Sequence, residues 1–221
     1  MNTPKAKPVR ISLGNTTLEG DLTLPEDAGG IVLFAHGSGS SRLSPRNKYV
    51  AKELNSVGLA TLLMDLLTQK DEEIDALTGQ LRFDITLLAN RLIDATEWLK
   101  DNSSTTPLAV GYFGASTGTA AALVSAAQLP DYVHAVVSRG GRTDLEMRYL
   151  SRVKEPVLFI AGANDEIVVK LNNEAMKHLQ TEKRLEIVTG ASNLFEEPGA
   201  LEKVAELAVD WFLNHLQRKW K

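Results

Sequence analysis

Ser116 lies at the centre of a Gly-x-Ser-x-Gly segment, Gly114-Ala-Ser-Thr-Gly118, which joins an apolar stretch to a run of small residues. Residues 108–113 are predicted to form a strand, and residues 117–128 are predicted to form a helix. A turn this tight between a strand and a helix holds its central residue in a strained backbone conformation with the side chain above the sheet. The pattern therefore predicts a nucleophile elbow with Ser116 as the catalytic serine, in preference to an ordinary Gly/Ser loop.

The rest of the chain alternates between apolar runs and segments of helical period. Near-continuous apolar strands separated by helices are typical of a parallel sheet covered on both faces. Two early runs separated by Gly14-Asn15 are predicted to pair as an antiparallel hairpin at the sheet edge. The hairpin strands are residues 9–13 and 17–24; the later strands are 31–35, 60–64, 108–113, 135–138, 157–161 and 185–188; the helices are 45–57, 81–100, 117–128, 171–179 and 199–220.

These elements predict an α/β fold with a mostly parallel sheet, an N-terminal antiparallel hairpin and helices on both faces. We expect residues 1–221 to form a single domain without a large cap domain, since chains of this length commonly bury one core. Residues 68–80 are acidic and only weakly periodic. They are predicted to be a surface loop, with a mobile flap over the site as the alternative.

Composition excludes several classes of function. The net charge is −4 and no basic run is interleaved with aromatic residues, so nucleic acid is not an expected partner. No apolar stretch approaches the roughly 18 residues needed to span a bilayer, so a membrane is not expected either. The chain has no cysteine, which excludes disulfides and thiolate sites. It also lacks a signal-peptide pattern, metal-ligand spacing and nucleotide-binding motifs. We therefore expect a cytoplasmic protein with no metal and no cofactor, and the oligomeric state is not predicted.

The loop after residues 31–35 is the first candidate for the site, because functional loops of an open parallel sheet follow the carboxyl ends of its strands. It contains His36-Gly37-Ser38-Gly39. In this position a backbone N–H completes an oxyanion hole together with the N–H after the nucleophile. The predicted donors are Ser38 and Thr117, with His36 and Gly37 close to the substrate. A flexible Gly/Ser turn is the alternative.

Two later loops should carry the remaining catalytic groups. Asp165 follows residues 157–161 and is the candidate acid; a simple turn at Asn164-Asp165, or Glu166 as the acid, are the alternatives. The order Ser, acid, His then predicts a histidine after residues 185–188. Residues 189–199 contain no histidine.

Five segments resemble those of α/β-hydrolases of the dienelactone hydrolase-like group, and the likeness covers nearly the whole chain. They are residues 34–47, the elbow, residues 138–142, residues 162–165 and residues 190–198. In that group the last loop resembles Ala-Ser-His-Leu-Phe-Glu-Glu-Pro-Gly, so its histidine falls on Asn193. Dienelactone hydrolases proper have cysteine at the position of Ser116. The resemblance therefore implies an esterase-like hydrolase of small-molecule esters or lactones that has asparagine in place of its base.

No other histidine is a good replacement. His134 begins a strand at the opposite edge of the sheet, and His178 and His215 are predicted to be surface residues. His36 is on the correct side, but a histidine there more often braces the loop than acts as base. Asparagine has no basic nitrogen, although its amide could bond both the serine hydroxyl and Asp165. The sequence thus leaves two functions open: a strongly impaired serine hydrolase, or a non-catalytic binding protein built on a hydrolase scaffold.

Arg139 and Arg142 flank Gly140-Gly141 after the strand at residues 135–138. A positively charged rim there would suit a substrate that carries a carboxylate. The alternative is that one or both arginines pair with local acids such as Asp144 or Glu146.

Overall fold

The computed structural model describes residues 4–14 and 16–216. Its strands are β1 (Lys7–Leu13), β2 (Thr16–Thr23), β3 (Gly30–Ala35), β4 (Ala60–Met64), β5 (Ala109–Ala115), β6 (Val133–Arg139), β7 (Val157–Gly162) and β8 (Lys183–Val188). Its α-helices are α1 (Pro45–Ser56), α2 (Gln69–Thr78), α3 (Ile85–Asp101), α4 (Thr117–Gln128), α5 (Glu166–His178) and α6 (Ala200–Leu216).

The strands form an eight-stranded sheet in the order β1-β2-β4-β3-β5-β6-β7-β8. The β1–β2 and β2–β4 pairs are antiparallel, and the pairs from β4 to β8 are parallel. The predicted parallel sheet with an antiparallel hairpin at its edge is confirmed, although Asn15 of the hairpin turn lies outside the described residues. Because the parallel strands share a direction, the loops after β3, β5, β6, β7 and β8 meet at the same edge.

The hydrophobic core consists of two layers, one on each face of the sheet. In β3, Leu33 faces α3 and α4, whereas Val32 and Phe34 face α1 and α6. All three side chains are at most 1% exposed. The prediction of helices on both faces is therefore confirmed, and the described residues contain no large cap domain.

The predicted surface loop at residues 68–80 is wrong, because α2 occupies most of it. Thr68 and Asp71 form a capping box, in which each side chain accepts a hydrogen bond from the backbone N–H of the other residue. Gly79 ends the helix with a left-handed conformation. Local capping thus produces a helix where the apolar periodicity is weak.

Several other element bounds differ from the predictions, and the helical segments differ most. A short 3₁₀ turn, Leu81–Phe83, precedes α3, and Asp84 caps that helix through Leu87 N–H. Helix α5 begins five residues before the predicted start at residue 171. Helical turns over Thr143–Arg152 were not predicted, and the predicted end of α6 at residue 220 lies outside the described residues.

Among the described helices, none has the length and apolar character needed to cross a bilayer.

Candidate active site

Ser116 occupies the turn between β5 and α4 with φ 51° and ψ −120°, which is a strained conformation for a residue with a side chain. Its backbone N–H donates to Arg139 O at 3.1 Å, and its carbonyl accepts from Arg142 N–H at 3.1 Å. Gly118 allows the end of β3 to lie close behind the turn, because a Cβ on residue 118 would be only 2.1 Å from Ala35 O. The packing of the turn against β3 and β6 therefore holds the strained serine at the carboxyl edge of the sheet.

The loop after β3 lies against the serine. A Cβ on Gly37 would lie 3.0 Å from Ser116 Cβ, so only glycine leaves this approach open. The backbone N–H of Ser38 donates to Thr117 Oγ1 at 2.8 Å. Thr117 is also the first residue of α4, where the backbone N–H has no acceptor within its own helix. The two predicted oxyanion donors are thus adjacent, and the N–H of one is bonded to the side chain of the other.

His36 is buried and uses both ring nitrogens within the protein. Its Nδ1 donates to Gly37 O at 3.0 Å, and its Nε2 accepts from Leu66 N–H at 3.0 Å. Burial lowers the pKa of the imidazole, with a smaller opposing effect from the Gly37 carbonyl. The ring therefore links the loop after β3 to the segment after β4, and neither nitrogen is free to bind a substrate in this arrangement.

Asp165 follows β7 and serves as the N-cap of α5, where its carboxylate accepts from Val168 N–H at 3.1 Å. The neighbouring Asn164 joins this loop to the loop after β8. Its backbone N–H donates to Ala191 O and its side-chain amide donates to Gly190 O, both at 2.9 Å. The candidate acid is therefore held beside the loop that carries Asn193, while its carboxylate has a capping bond of its own.

Asn193 is exposed at the same edge, and its Oδ1 packs over Gly140, where a Cβ would be only 2.7 Å away. Gly140 follows Arg139, whose carbonyl holds Ser116 N–H. Among the described residues, no hydrogen bond joins the Asn193 side chain to Ser116 or to Asp165. The loops thus assemble the three predicted positions at one edge without the hydrogen bonds of a complete triad.

The remaining histidines lie away from this edge. His134, at the start of β6, is exposed and bonds to Tyr132 O. His178 is exposed at the end of α5. His215 is less exposed than expected for a surface residue, with Nδ1 on Trp211 O and Nε2 3.3 Å from a Glu182 carboxylate oxygen.

The two predicted rim arginines have different environments. Arg142 makes two hydrogen bonds of 2.8 Å with the carboxylate of Asp144, so its charge is largely compensated. Arg139 is 9% exposed, and its Nη1 is buried with no hydrogen-bond partner in residues 4–14 and 16–216. Burial, followed by repulsion from Arg46, lowers the pKa of Arg139 to about 10.

Sequence reasoning missed Arg46, which is half-buried in the first turn of α1 and pairs with Glu196 at 2.6 Å. A signal was available: Ser44 caps α1 and Pro45 follows, so Arg46 puts a cation where the helix dipole favours an anion. A cation at an unfavourable helix end has to be explained by something other than the helix.

A small, partly open pocket borders the oxyanion loop. Its lining includes Ser38, Thr117 and, from α2, Glu72 and Asp75. Helix α2 is therefore one wall of the space next to the predicted oxyanion hole. Among residues 4–14 and 16–216, no group of three or more His, Cys, Asp or Glu side chains is placed to hold a metal ion.

Comparison with known proteins agrees with this architecture. The family model described as the dienelactone hydrolase family matches residues 18–217. The crystal structure of a dienelactone hydrolase from Anabaena variabilis is 58% identical, covers 98% of this chain and 100% of that one, and superposes with a TM-score of 0.96. Est1E from Butyrivibrio proteoclasticus, 16% identical with a TM-score of 0.78 over 94% of this chain and 98% of that one, shares the fold.

Two Mycobacterium tuberculosis proteins that carry the provisional name phosphoribosyl transferase are also similar. Each is 53% identical over 208 residues, which are 94% of this chain and 46% of the relative. The chain therefore spans about half the length of the curated relatives it matches. Their name was given to proteins of which more than half lies outside the matched region.

Proposed function

This chain belongs to the dienelactone hydrolase family, and we propose that it is a serine hydrolase that acts on carboxylic esters or lactones through Ser116. The observation that carries the proposal is the positive φ of Ser116 in a strand-to-helix turn. This strain is the backbone signature of a nucleophile elbow, and the contacts with β3 and β6 maintain it.

In the proposed reaction, Ser116 Oγ forms a bond to the substrate carbonyl carbon while the carbonyl π electrons move onto the oxygen, and the serine proton passes to a water molecule because Asn193 cannot accept it. The negative oxygen of the tetrahedral intermediate is bonded by the backbone N–H groups of Ser38 and Thr117. The bond to the alcohol then breaks, the alcohol takes up a proton, and water releases the acid from the acyl-enzyme by the same route. In a lactone both products stay in one molecule.

Proton transfer from Ser116 is the step that this chain is expected to catalyse poorly. Asn193 occupies the position where the family resemblance places histidine, and an amide nitrogen cannot accept a proton at neutral pH. Triads without their base lose on the order of 10⁴–10⁶ in rate and keep what the oxyanion hole and substrate binding supply. We propose an activity that is impaired to this degree.

The second candidate function is a binding protein on the hydrolase scaffold that does not turn its ligand over. Asn193 favours it, because the site keeps the nucleophile and the oxyanion loop while it lacks a proton acceptor. Under either function the ligand is a small molecule. Arg139, which pairs with no carboxylate in the described part of the chain, favours one with an anionic group, and a carboxylate is the expectation from the sequence.

The test is the variant Asn193→His, assayed with p-nitrophenyl acetate beside Asn193→Gln, which is polar but has no basic nitrogen. A restored base is expected to raise kcat by about 10²–10⁴ in the histidine variant and to leave the glutamine variant unchanged. Ser116→Ala in the histidine background should abolish the gain. A folded Asn193→His protein without any gain would contradict the assignment of this position and support the binding function.

A further inference from the structure

The guanidinium of Arg139 is an unusual group for a protein interior. It is 9% exposed, yet it makes no hydrogen bond or ion pair with any residue in the described part of the chain, and its Nη1 is fully buried. An uncompensated buried charge is normally destabilising, and buried arginines are usually paired. Up to five N–H donors at the edge of the sheet therefore have no acceptor among the residues that the structure describes.

A second guanidinium, that of Arg46, is near enough for its charge to repel that of Arg139. Arg139 extends β6 beyond Val137 on the same face of the sheet, and Val137 packs in one cluster with Val50 of α1. Val50 is one helical turn after Arg46, so the two arginines belong to the same layer of the molecule. Their proximity is also seen in the repulsion by which Arg46 lowers the pKa of Arg139.

The carboxylates nearby do not cancel this charge. Glu196 pairs with Arg46 through Nη1, but its side chain is 64% exposed, and Arg46 Nε is buried without a partner. No acid in the described residues pairs with Arg139. The backbone N–H groups of the first turn of α1 add positive potential at the same place. Between β6, α1 and the loop after β8, the molecule therefore has unused donors and unbalanced positive charge.

We propose that Arg139 and Arg46 form a binding subsite for a phosphoryl group, free or as part of a phosphate ester, next to Ser116. The subsite adds a substrate group to the proposed function. It rests on that function only because its position is described relative to Ser116 as the nucleophile. A ligand with both an acyl ester and a phosphoryl group would have its reactive carbonyl at Ser116 and its phosphoryl group on the arginines.

The charge and the number of donors favour a phosphoryl group over a carboxylate. A phosphate monoester carries a charge of about −1.5 to −2 at neutral pH and has three acceptor oxygens. Two adjacent guanidiniums repel each other, and a dianion between them relieves that repulsion more fully than a carboxylate can. Arginine also matches phosphate oxygens in a bidentate geometry.

The test is isothermal titration of the unmodified chain with phenyl phosphate and with benzoate, which share the aromatic ring and differ in the anion. Phenyl phosphate is expected to bind more tightly than benzoate and to gain affinity as the pH rises through its second ionisation near about 6. Tighter binding of benzoate would overturn the phosphoryl assignment and restore the carboxylate. Titration with inorganic phosphate shows whether the aryl group is required.

Three variants locate the subsite. Arg139→Gln and Arg46→Gln should each weaken phenyl phosphate binding by roughly tenfold or more, since each removes charge-assisted hydrogen bonds. Glu196→Gln should tighten binding, because it removes the competing carboxylate from Arg46. Arg148→Gln is the matched control, since Arg148 is 70% exposed and pairs with Glu146. Equal affinities of Arg139→Gln and the unmodified chain would overturn the proposal.

Thermal unfolding and ligand titration together distinguish a variant that has lost binding from one that has lost its fold. Arg139→Gln removes an uncompensated buried charge, so it should unfold at the same or a higher temperature without ligand. If that variant fails to fold, Arg46→Gln and Glu196→Gln still test the subsite with opposite signs. Because binding is measured without turnover, an inactive Asn193→His variant would contradict the hydrolase proposal and leave the phosphoryl subsite standing.

Discussion

The backbone N–H of Ser38 donates to the hydroxyl of Thr117 over 2.8 Å, so the two residues expected to form the oxyanion hole are bonded to each other without substrate. In the proposed reaction the substrate oxygen must replace this hydroxyl as the acceptor. The exchange lowers the net gain from the Ser38 donor, because one hydrogen bond is lost as another forms.

Replacing Thr117 by valine keeps the shape of the side chain and removes the competing acceptor. In the Asn193→His background, kcat/KM for p-nitrophenyl acetate is expected to rise by about 2- to 10-fold, which corresponds to the net free energy of one hydrogen bond. Thr117→Ser keeps the hydroxyl and should behave like the parent. A fall in kcat with valine but not with serine would mean that the hydroxyl itself donates to the oxyanion.

Ser116 in the unmodified chain should react slowly with a p-nitrophenyl phosphonate, because no group accepts its proton. Intact-mass spectrometry over time should show adduct formation accelerated by about 10² or more in Asn193→His and absent in Ser116→Ala. Rapid labelling of the unmodified chain at Ser116 would show that another group activates the serine. His36 would then be the first residue to replace.

Acid should loosen the loop that His36 braces. Burial depresses the folded-state pKa of this imidazole, so its stabilising contribution is present above the unfolded pKa of about 6.5 and is lost as the pH falls through the folded value. Protonation of Nε2 would also remove the acceptor for Leu66 N–H. In urea unfolding, the parent should lose more stability than His36→Gln between about pH 7.5 and pH 5. Parallel losses in the two proteins would assign the acid effect to other groups.

Glu155 should have the opposite pH dependence. It is 3% exposed, its Oε1 has no partner, and burial raises the pKa of the carboxyl despite the opposing hydrogen bond from Lys154 N–H. The group therefore stabilises the fold below its unfolded pKa, and this contribution is lost as the pH rises through the folded value. Glu155→Gln keeps the acceptor for Lys154 N–H and should add on the order of 1 kcal/mol to the free energy of unfolding near neutral pH. The gain should shrink in acid; a gain that is independent of pH would contradict this account.

Much of the architecture follows from local sequence signals. The tight turn at Ser116 requires glycines around a serine, and the parallel strands show as apolar runs because both faces of the sheet are covered. Strand polarity then assigns Asp165 and Asn193 to the same edge as the serine, and the structure has both there. The roles of these residues stay predictions.

Other features depend on contacts between segments that are distant in sequence. The bond from Ser38 to Thr117 joins residues 79 positions apart, and the two nitrogens of His36 are used by groups on different loops. Arg46 and Arg139 come close only through the packing of the hydrophobic layer to which α1 and β6 both contribute. Helix α2 is a different case, since its capping box is visible at Thr68 and Asp71 although the hydrophobic pattern is weak.

The contact between Asn193 and Gly140 bears on which side chains residue 193 can carry. A side chain at residue 140 would collide with Asn193, so the glycine keeps room for the residue at 193. A substitution at residue 140 is therefore expected to close that room to a histidine at 193 as well. Any attempt to supply a base at residue 193 thus depends on glycine at a second position, 53 residues earlier in the chain.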